Sequence, residues 1–216
     1  MAQDATPGPV VVELYTSQGC SSCPPADETF AGLAGRADVI ALALHVDYWD
    51  YIGWKDSFAQ PEFTERQRAY ARVAGARTIY TPQLIVGGME HLVGVRPAEL
   101  AAMIARHAAM PAKAEIQALR EGGAVRITAV PVARLPQGVT VQIVRYMPEA
   151  TVEIRGGENA GRQITYRNIV TDWRRVGTWD GATPLSMTVD VAPGDSGVVI
   201  LQEPGPGPII AAARLP

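Results

Sequence analysis

The sequence predicts an α/β domain over residues 1–110 followed by an all-β, sandwich-like domain over residues 111–216. Three observations lead there. Apolar runs alternate with helical patterns as far as Met110, and short alternating strands separated by turn residues take over after Pro111. The two cysteines of the chain, Cys20 and Cys23, stand where the first apolar run gives way to the first helical pattern.

Taken in order, Val10 to Tyr15 is a β-branched apolar run and reads as a strand, with Thr16 to Gly19 as the loop that ends it. Pro24 and Pro25 fit only the first turn of a helix, where amide hydrogens have no intrahelical partner, so a helix starts near Ser22 or Cys23 and runs to about Ala34. Val39 to Val46 is nearly all apolar, as expected of a strand buried on both faces. An aromatic and charged stretch, Asp47 to Lys55, precedes a helix over Pro61 to Ala74, which Gly75 ends. Thr81-Pro82 leads into a short strand, Gln83 to Val86, and Gly87-Gly88 signals a hairpin to Met89–Val95. A third helix opens at Pro97, with Leu100, Met103, Ile104 and His107 at helical spacing. Beyond Pro111, strands are predicted at Val125–Val130, Val139–Tyr146, Leu185–Val191 and Val198–Leu201.

Composition excludes several classes of function. At 47% apolar and 19% charged residues, the 216-residue chain is that of a globular protein with a sizeable core. A formal charge of −3 with scattered Lys and Arg gives no nucleic-acid footprint. No run approaches the roughly 20 apolar residues of a membrane span. The segment Met1 to Ala5 has neither the charged nor the apolar region of a secretory signal, and Ala2-Gln3 suits the residues that follow a cleavage site. The expectation is therefore a periplasmic or secreted protein whose signal peptide has been removed. Having no thiols besides one close pair fits such an oxidising compartment.

Cysteines separated by two residues can bond across one turn at a helix start with little backbone movement. Free amides and the dipole at that terminus lower the pKa of the first thiol. Cys20 is then the expected nucleophile and Cys23 the residue that resolves a mixed disulfide. Two other readings stand beside it: a static disulfide, and a metal site. Zinc lacks ligands at finger spacing, whereas copper(I) suits two thiolates joined by His45.

The arrangement of strand, Cys-x-x-Cys, helix, strand, helix, Thr-Pro, hairpin and helix over residues 8 to 109 resembles the thioredoxin fold. That resemblance implies a cis peptide bond at Pro82, packed beside the cysteines. More closely, the chain resembles a family of secreted bacterial thioredoxin-like proteins of undefined function. The likeness rests on three stretches, Glu13 to Asp27 (ELYTSQGCSSCPPAD), His45 to Asp50 (HVDYWD) and Tyr80 to Gln83 (YTPQ), with Gly157 to Arg162 (GENAGR) in the second half. Ser21-Ser22 between the cysteines departs from the dipeptides of thioredoxins and of strong periplasmic oxidants, which leaves the redox direction open.

Glu13, seven residues before Cys20 in an apolar strand, is the candidate proton carrier for Cys23, by likeness to the buried acid of thioredoxins. The alternative is a carboxylate that faces solvent or pairs with an arginine. Thr81, His45, Tyr48 and Trp49 are the candidate walls of a substrate groove, since strand ends in open α/β sheets gather ligand sites. A packed aromatic loop with a hydrogen-bonded His45 is the alternative there. Glu158, Asn159 and Arg162 form a polar loop suited to docking on the first domain or on a partner. The expected partners are protein thiols or disulfides, with no cofactor, and the expected state is a monomer or weak dimer.

Overall fold

The computed structural model describes residues 8–192 and 196–216. The strand predicted at residues 185–191 is described in full; residues 193–195 lie outside the description. Among the described residues there are three α-helices, α1 (Pro24–Ala31), α2 (Pro61–Val73) and α3 (Pro97–Ala108). The strands of the first half are β1 (Val10–Thr16), β2 (Val39–His45), β3 (Gln83–Val86) and β4 (Glu90–Val93). Those of the second half are β5 (Ala114–Glu121), β6 (Ala124–Pro131), β7 (Val139–Glu153), β8 (Gln163–Trp179), β9 (Leu185–Asp190), β10 (Ser196–Gln202) and β11 (Ile209–Arg214). A 3-10 turn at Asp50–Ile52 precedes α2. Each α-helix opens with a proline, where the missing amide hydrogen costs no bond. Helix α2 stops as Gly75 takes φ +67° and the Ala76 amide reaches back to the Ala71 carbonyl.

The expected fold class, an α/β thioredoxin-like domain followed by a separate all-β sandwich, is overturned by the sheet topology. One mixed eight-stranded sheet in the order β11-β10-β7-β8-β2-β1-β3-β4 draws strands from both halves, and a three-stranded sheet, β5-β6-β9, stands apart. Strand dominates helix among the described residues. The physical reason lies in β2. All seven of its residues are buried, and its free edge is completed by β8, with Ala43 opposite Ile169 in parallel register. The Asn168 side chain reinforces that junction by donating to the Ala41 carbonyl at 2.9 Å.

Strand β8 was hidden in the sequence because its pattern is broken. It pairs with β7 over a long antiparallel ladder whose register shifts at Val141/Gln142 and again at Arg145/Tyr146. Each bulge adds a residue and interrupts the period of two that sequence reading depends on. The two strands continue past the rest of the sheet as a long hairpin whose tip, residues 154–162, returns to the cysteine loop.

Three apolar clusters hold the layers together. Val10, Val12 and Leu14 of β1 pack with α1 and α3 on one face of the sheet. Val11 and Tyr15 of the same strand pack with α2, and with Val144, Val170 and Ile200 from the second half, on the other. The small sheet covers the outer side of β7, β10 and β11 through Val125, Ile127, Ile143, Leu201 and Trp179. No helix among the described residues is long and apolar enough to cross a membrane.

Candidate functional site

The chain leaves β1 at Thr16 and turns twice before entering α1. The Cys20 amide donates to the Ser17 carbonyl, and the Cys23 amide donates to the Cys20 carbonyl. These turns set the Cα atoms of Cys20 and Cys23 5.4 Å apart, within the range a disulfide bridges, and the two sulfurs are bonded. Both residues have 0% of their surface exposed, although Ser21 and Ser22 between them are open to solvent. Ser22 Oγ lies 3.3 Å from Cys20 Sγ. Cys23 is the N-cap of α1, and Pro24 and Pro25 occupy the next two positions. Without amide hydrogens there, the helix start offers a thiolate fewer donors than an ordinary N-terminus.

The cysteine loop is fastened from two directions. From the segment after β2, Asp56 Oδ2 accepts the Gln18 amide at 2.7 Å, and Trp54 Nε1 donates to Gln18 Oε1 at 2.8 Å. From the hairpin tip, Asn159 Nδ2 donates to the carbonyl oxygens of both Gln18 and Cys20, and Glu158 Oε2 accepts the Ser21 amide at 3.3 Å. The tip comes this close because its backbone carries glycine: a Cβ on Gly156 would stand 2.5 Å from the Gly53 carbonyl oxygen. The polar loop singled out in the second half thus docks on the first through Glu158 and Asn159.

The remaining candidates divide. Trp49 and Thr81 come together, Trp49 Nε1 donating to Thr81 Oγ1 at 2.7 Å, and Tyr48 lies half-buried beside Trp49. The Thr81-Pro82 bond is cis and enters β3 one step beyond the Tyr15–Gln83 pair. His45 is fully buried, so it does not line an open groove; its Nδ1 is 2.7 Å from Asp56 Oδ2.

Glu13 sits on the face of β1 opposite α1. Its carboxylate takes two bonds from Arg66, at 2.8 and 2.9 Å, and one each from the Tyr15 and Tyr70 hydroxyls. The arginine pairing weighed for it is the contact the fold makes. Burial raises the Tyr15 and Tyr70 hydroxyls well above their ordinary range, and the neighbouring Glu13 charge adds to this. The acid that does lie on the cysteine side is Asp27, one helical turn after Cys23, with its carboxyl pushed up to about 7 by burial. Nearby His45 opposes the rise. Asp27 was within reach of sequence reading, as an acid four residues beyond Cys23, but Glu13 in its apolar strand was the more conspicuous carboxylate. Asp56 and Tyr166, which meet this region from distant segments, carried no signal.

Among the described residues no group of three or more His, Cys, Asp or Glu side chains is arranged to hold a metal ion. A groove of about 610 Å³ opens between Val10, Met110, Ile116 and Ile209. It lies at the end of β1 remote from the disulfide, and no site residue read from the sequence lines it.

Residues 11–202 match a family described as a protein of unknown function, DUF1223. The chain belongs to this family. Protein AGR_C_4864 from Agrobacterium tumefaciens, known from its crystal structure, is 34% identical; the match covers 99% of this chain and 96% of that one, with a TM-score of 0.80. HBP35 of Porphyromonas gingivalis is 15% identical over 98% of this chain and 76% of its own, with a TM-score of 0.71, a likeness of fold alone. No curated protein matches the chain.

Proposed function

We propose that this protein carries out thiol–disulfide exchange with protein thiols or disulfides in an oxidising compartment outside the cytoplasm. The observation that carries the reading is the disulfide between Cys20 and Cys23, closed across the turn from β1 into α1 in a chain with no other cysteine. In the reduced protein a Cys20 thiolate attacks a partner disulfide, one partner sulfur leaves, and Cys20 is joined to the other. Cys23 then attacks Cys20 Sγ, re-forming the internal disulfide and releasing the partner dithiol, so two electrons pass to the partner. The opposite direction uses the same atoms, with a partner thiolate attacking Cys20. Ser22 Oγ is placed to donate to the Cys20 thiolate, and Trp49 and Thr81 supply the half-buried wall beside the loop.

A second reading, a structural disulfide, is favoured by the complete burial of both sulfurs. Trapping separates the two. A Cys23→Ser variant, unable to resolve, is expected to accumulate mixed disulfides through Cys20 with reduced and oxidised protein substrates, seen as reducible bands on a gel, while Cys20→Ser accumulates none. A Cys20→Ser variant that kept full reductase or oxidase activity would sink the exchange reading. A wild-type disulfide that resists dithiols until the protein unfolds would favour the staple.

A further inference from the structure

The groove remote from the disulfide brings together two thioethers and an imidazole. Met89, His107 and Met110 all line it. Met89 and Met110 are also the exposed methionines among the described residues, at 48% and 42%. Their sulfurs are soft and polarizable, and burial in a core does not account for either.

The backbone sets the three side chains beside one another. Met89 lies between Gly87 and Glu90, and both of these touch His107. A Cβ on Gly87 would stand 2.3 Å from His107 Nδ1, and Glu90 Oε1 is 3.0 Å from His107 Nε2. The chain turns tightly there, the Met89 amide donating to the Val86 carbonyl. Met110 follows His107 by three residues, and its amide donates to the His107 carbonyl. The turn that ends α3 therefore carries His107 and Met110 on one side.

His107 is held from behind, as histidines that bind metals are. Arg106 donates to Glu90 Oε2 at 2.6 Å, and this bond holds the Glu90 carboxyl below its usual range. A carboxylate only accepts, so Nε2 of the neutral ring carries the proton and Nδ1 keeps a bare lone pair. The His107 side chain is 7% exposed, and its Nδ1 has no hydrogen bond among the described residues. Glycine at 87, with φ +61°, lets the ring lie against the turn, where any side chain would collide with Nδ1.

We propose that Met89, His107 and Met110 form a binding site for copper(I). Thioethers are soft ligands that select monovalent copper over calcium or magnesium, and a neutral imidazole completes a set of three. Glu90 is the positioning residue, fixing the tautomer and the ring. The site is separate from the set of Cys20, Cys23 and His45 weighed from the sequence. It lies at the other end of β1, uses no thiol, and holds its ion with the disulfide closed. It stands independently of the exchange reading.

The full chain with its disulfide closed, kept under ascorbate and argon, is expected to hold one equivalent of copper(I) against the coloured chelator bicinchoninate. The methyl resonances of Met89 and Met110 should shift as copper(I) is added, while that of the buried Met103 stays in place. Changing both exposed methionines, Met89→Leu with Met110→Leu, nearly conserves volume and is expected to leave the fold intact by circular dichroism. Losing even the partner behind a metal-bound histidine costs about 10–100-fold in affinity, so the double variant is expected to bind at least about a hundredfold more weakly. Glu90→Gln is expected to weaken binding by about tenfold, and Cys20→Ser with Cys23→Ser to leave it unchanged. Wild-type affinity in the folded methionine variant would overturn the proposal. So would failure of the closed-disulfide protein to hold copper(I), and copper(I) held only after reduction would assign the metal to the cysteines instead.

Discussion

Asn159, near the tip of the long β7–β8 hairpin, holds the Cys20 carbonyl oxygen at 2.9 Å from a position 139 residues further along the chain. The same Nδ2 group also holds the Gln18 carbonyl at 2.9 Å. One side chain therefore fixes the loop from both sides of Gly19 and keeps the second half of the chain over the disulfide. Replacing it with alanine leaves the Gln18 carbonyl without its side-chain donor and the Cys20 carbonyl with the Cys23 amide alone, at a cost of about 1–3 kcal/mol. Asn159→Ala is expected to lower the urea midpoint accordingly and to speed reduction of the Cys20–Cys23 bond by a small dithiol. Equal reduction rates in variant and wild type would show that the tip is not what shields the sulfurs.

Arg66 gives a second test of how the halves are joined. Its guanidinium bonds the fully buried Glu13, the Tyr70 hydroxyl and Gln202 of β10, and lies 3.7 Å over the Trp173 ring of β8. Losing one partner of a buried pair strands the other charge, which costs about 3–5 kcal/mol. Arg66→Met is expected to show a loss of that size by chemical denaturation. Adding Glu13→Gln should recover part of it, because the stranded carboxylate is gone. Strict additivity of the two changes would mean that the pair is not coupled.

What the sequence made legible was local. Strand β1, the cysteine turn, the proline-led helices and the Gly87-Gly88 hairpin each follow from residues next to one another in the chain. The cis bond at Pro82 came from family likeness, since proline chemistry alone favours trans. What stayed hidden was pairing over long separations. The apolar run of β2 announces burial on both faces but does not say that β8 completes it, and β8 itself, with Arg167, Asp172, Arg174 and Arg175 among its residues, reads as a polar stretch. The candidate site divides in the same way. Cys20 and Cys23 declared themselves by spacing, and Asn159 by its polar loop. Asp56 and Tyr166 become relevant only once the sheet brings them to His45.

Asp27 should leave its mark on the pH dependence of stability. Its carboxyl rises from 3.8 to about 7 on folding, chiefly through burial. Between these values the folded protein holds a proton that the unfolded chain has released. The stabilisation is complete below about pH 4 and is lost as pH rises through 7, up to about 4 kcal/mol in all. Asp27→Asn removes this dependence. With the disulfide intact in both proteins, the variant is expected to gain stability relative to the wild type from pH 4 to pH 7.5. Parallel stability curves across that window would mean that the carboxyl ionises in the folded state as it does in the unfolded one.

The hairpin tip can also be tested without touching a polar group. Gly156 lies against the Gly53 carbonyl and the Trp54 ring, and Gly157, at φ +68°, lies 3.2 Å from Trp54 Cβ when given a side chain. A methyl group at 156 cannot be accommodated at 2.5 Å from backbone oxygen, so the tip or the turn at Gly53 has to move. Since Trp54 also anchors Gln18, that movement carries directly to the cysteine loop. Gly156→Ala is therefore expected to cost about 1–3 kcal/mol and to speed reduction of the disulfide as Asn159→Ala does. The double variant should reduce little faster than either single one, because both open the same cover. Independent, multiplying effects on the reduction rate would instead place the two residues in separate devices.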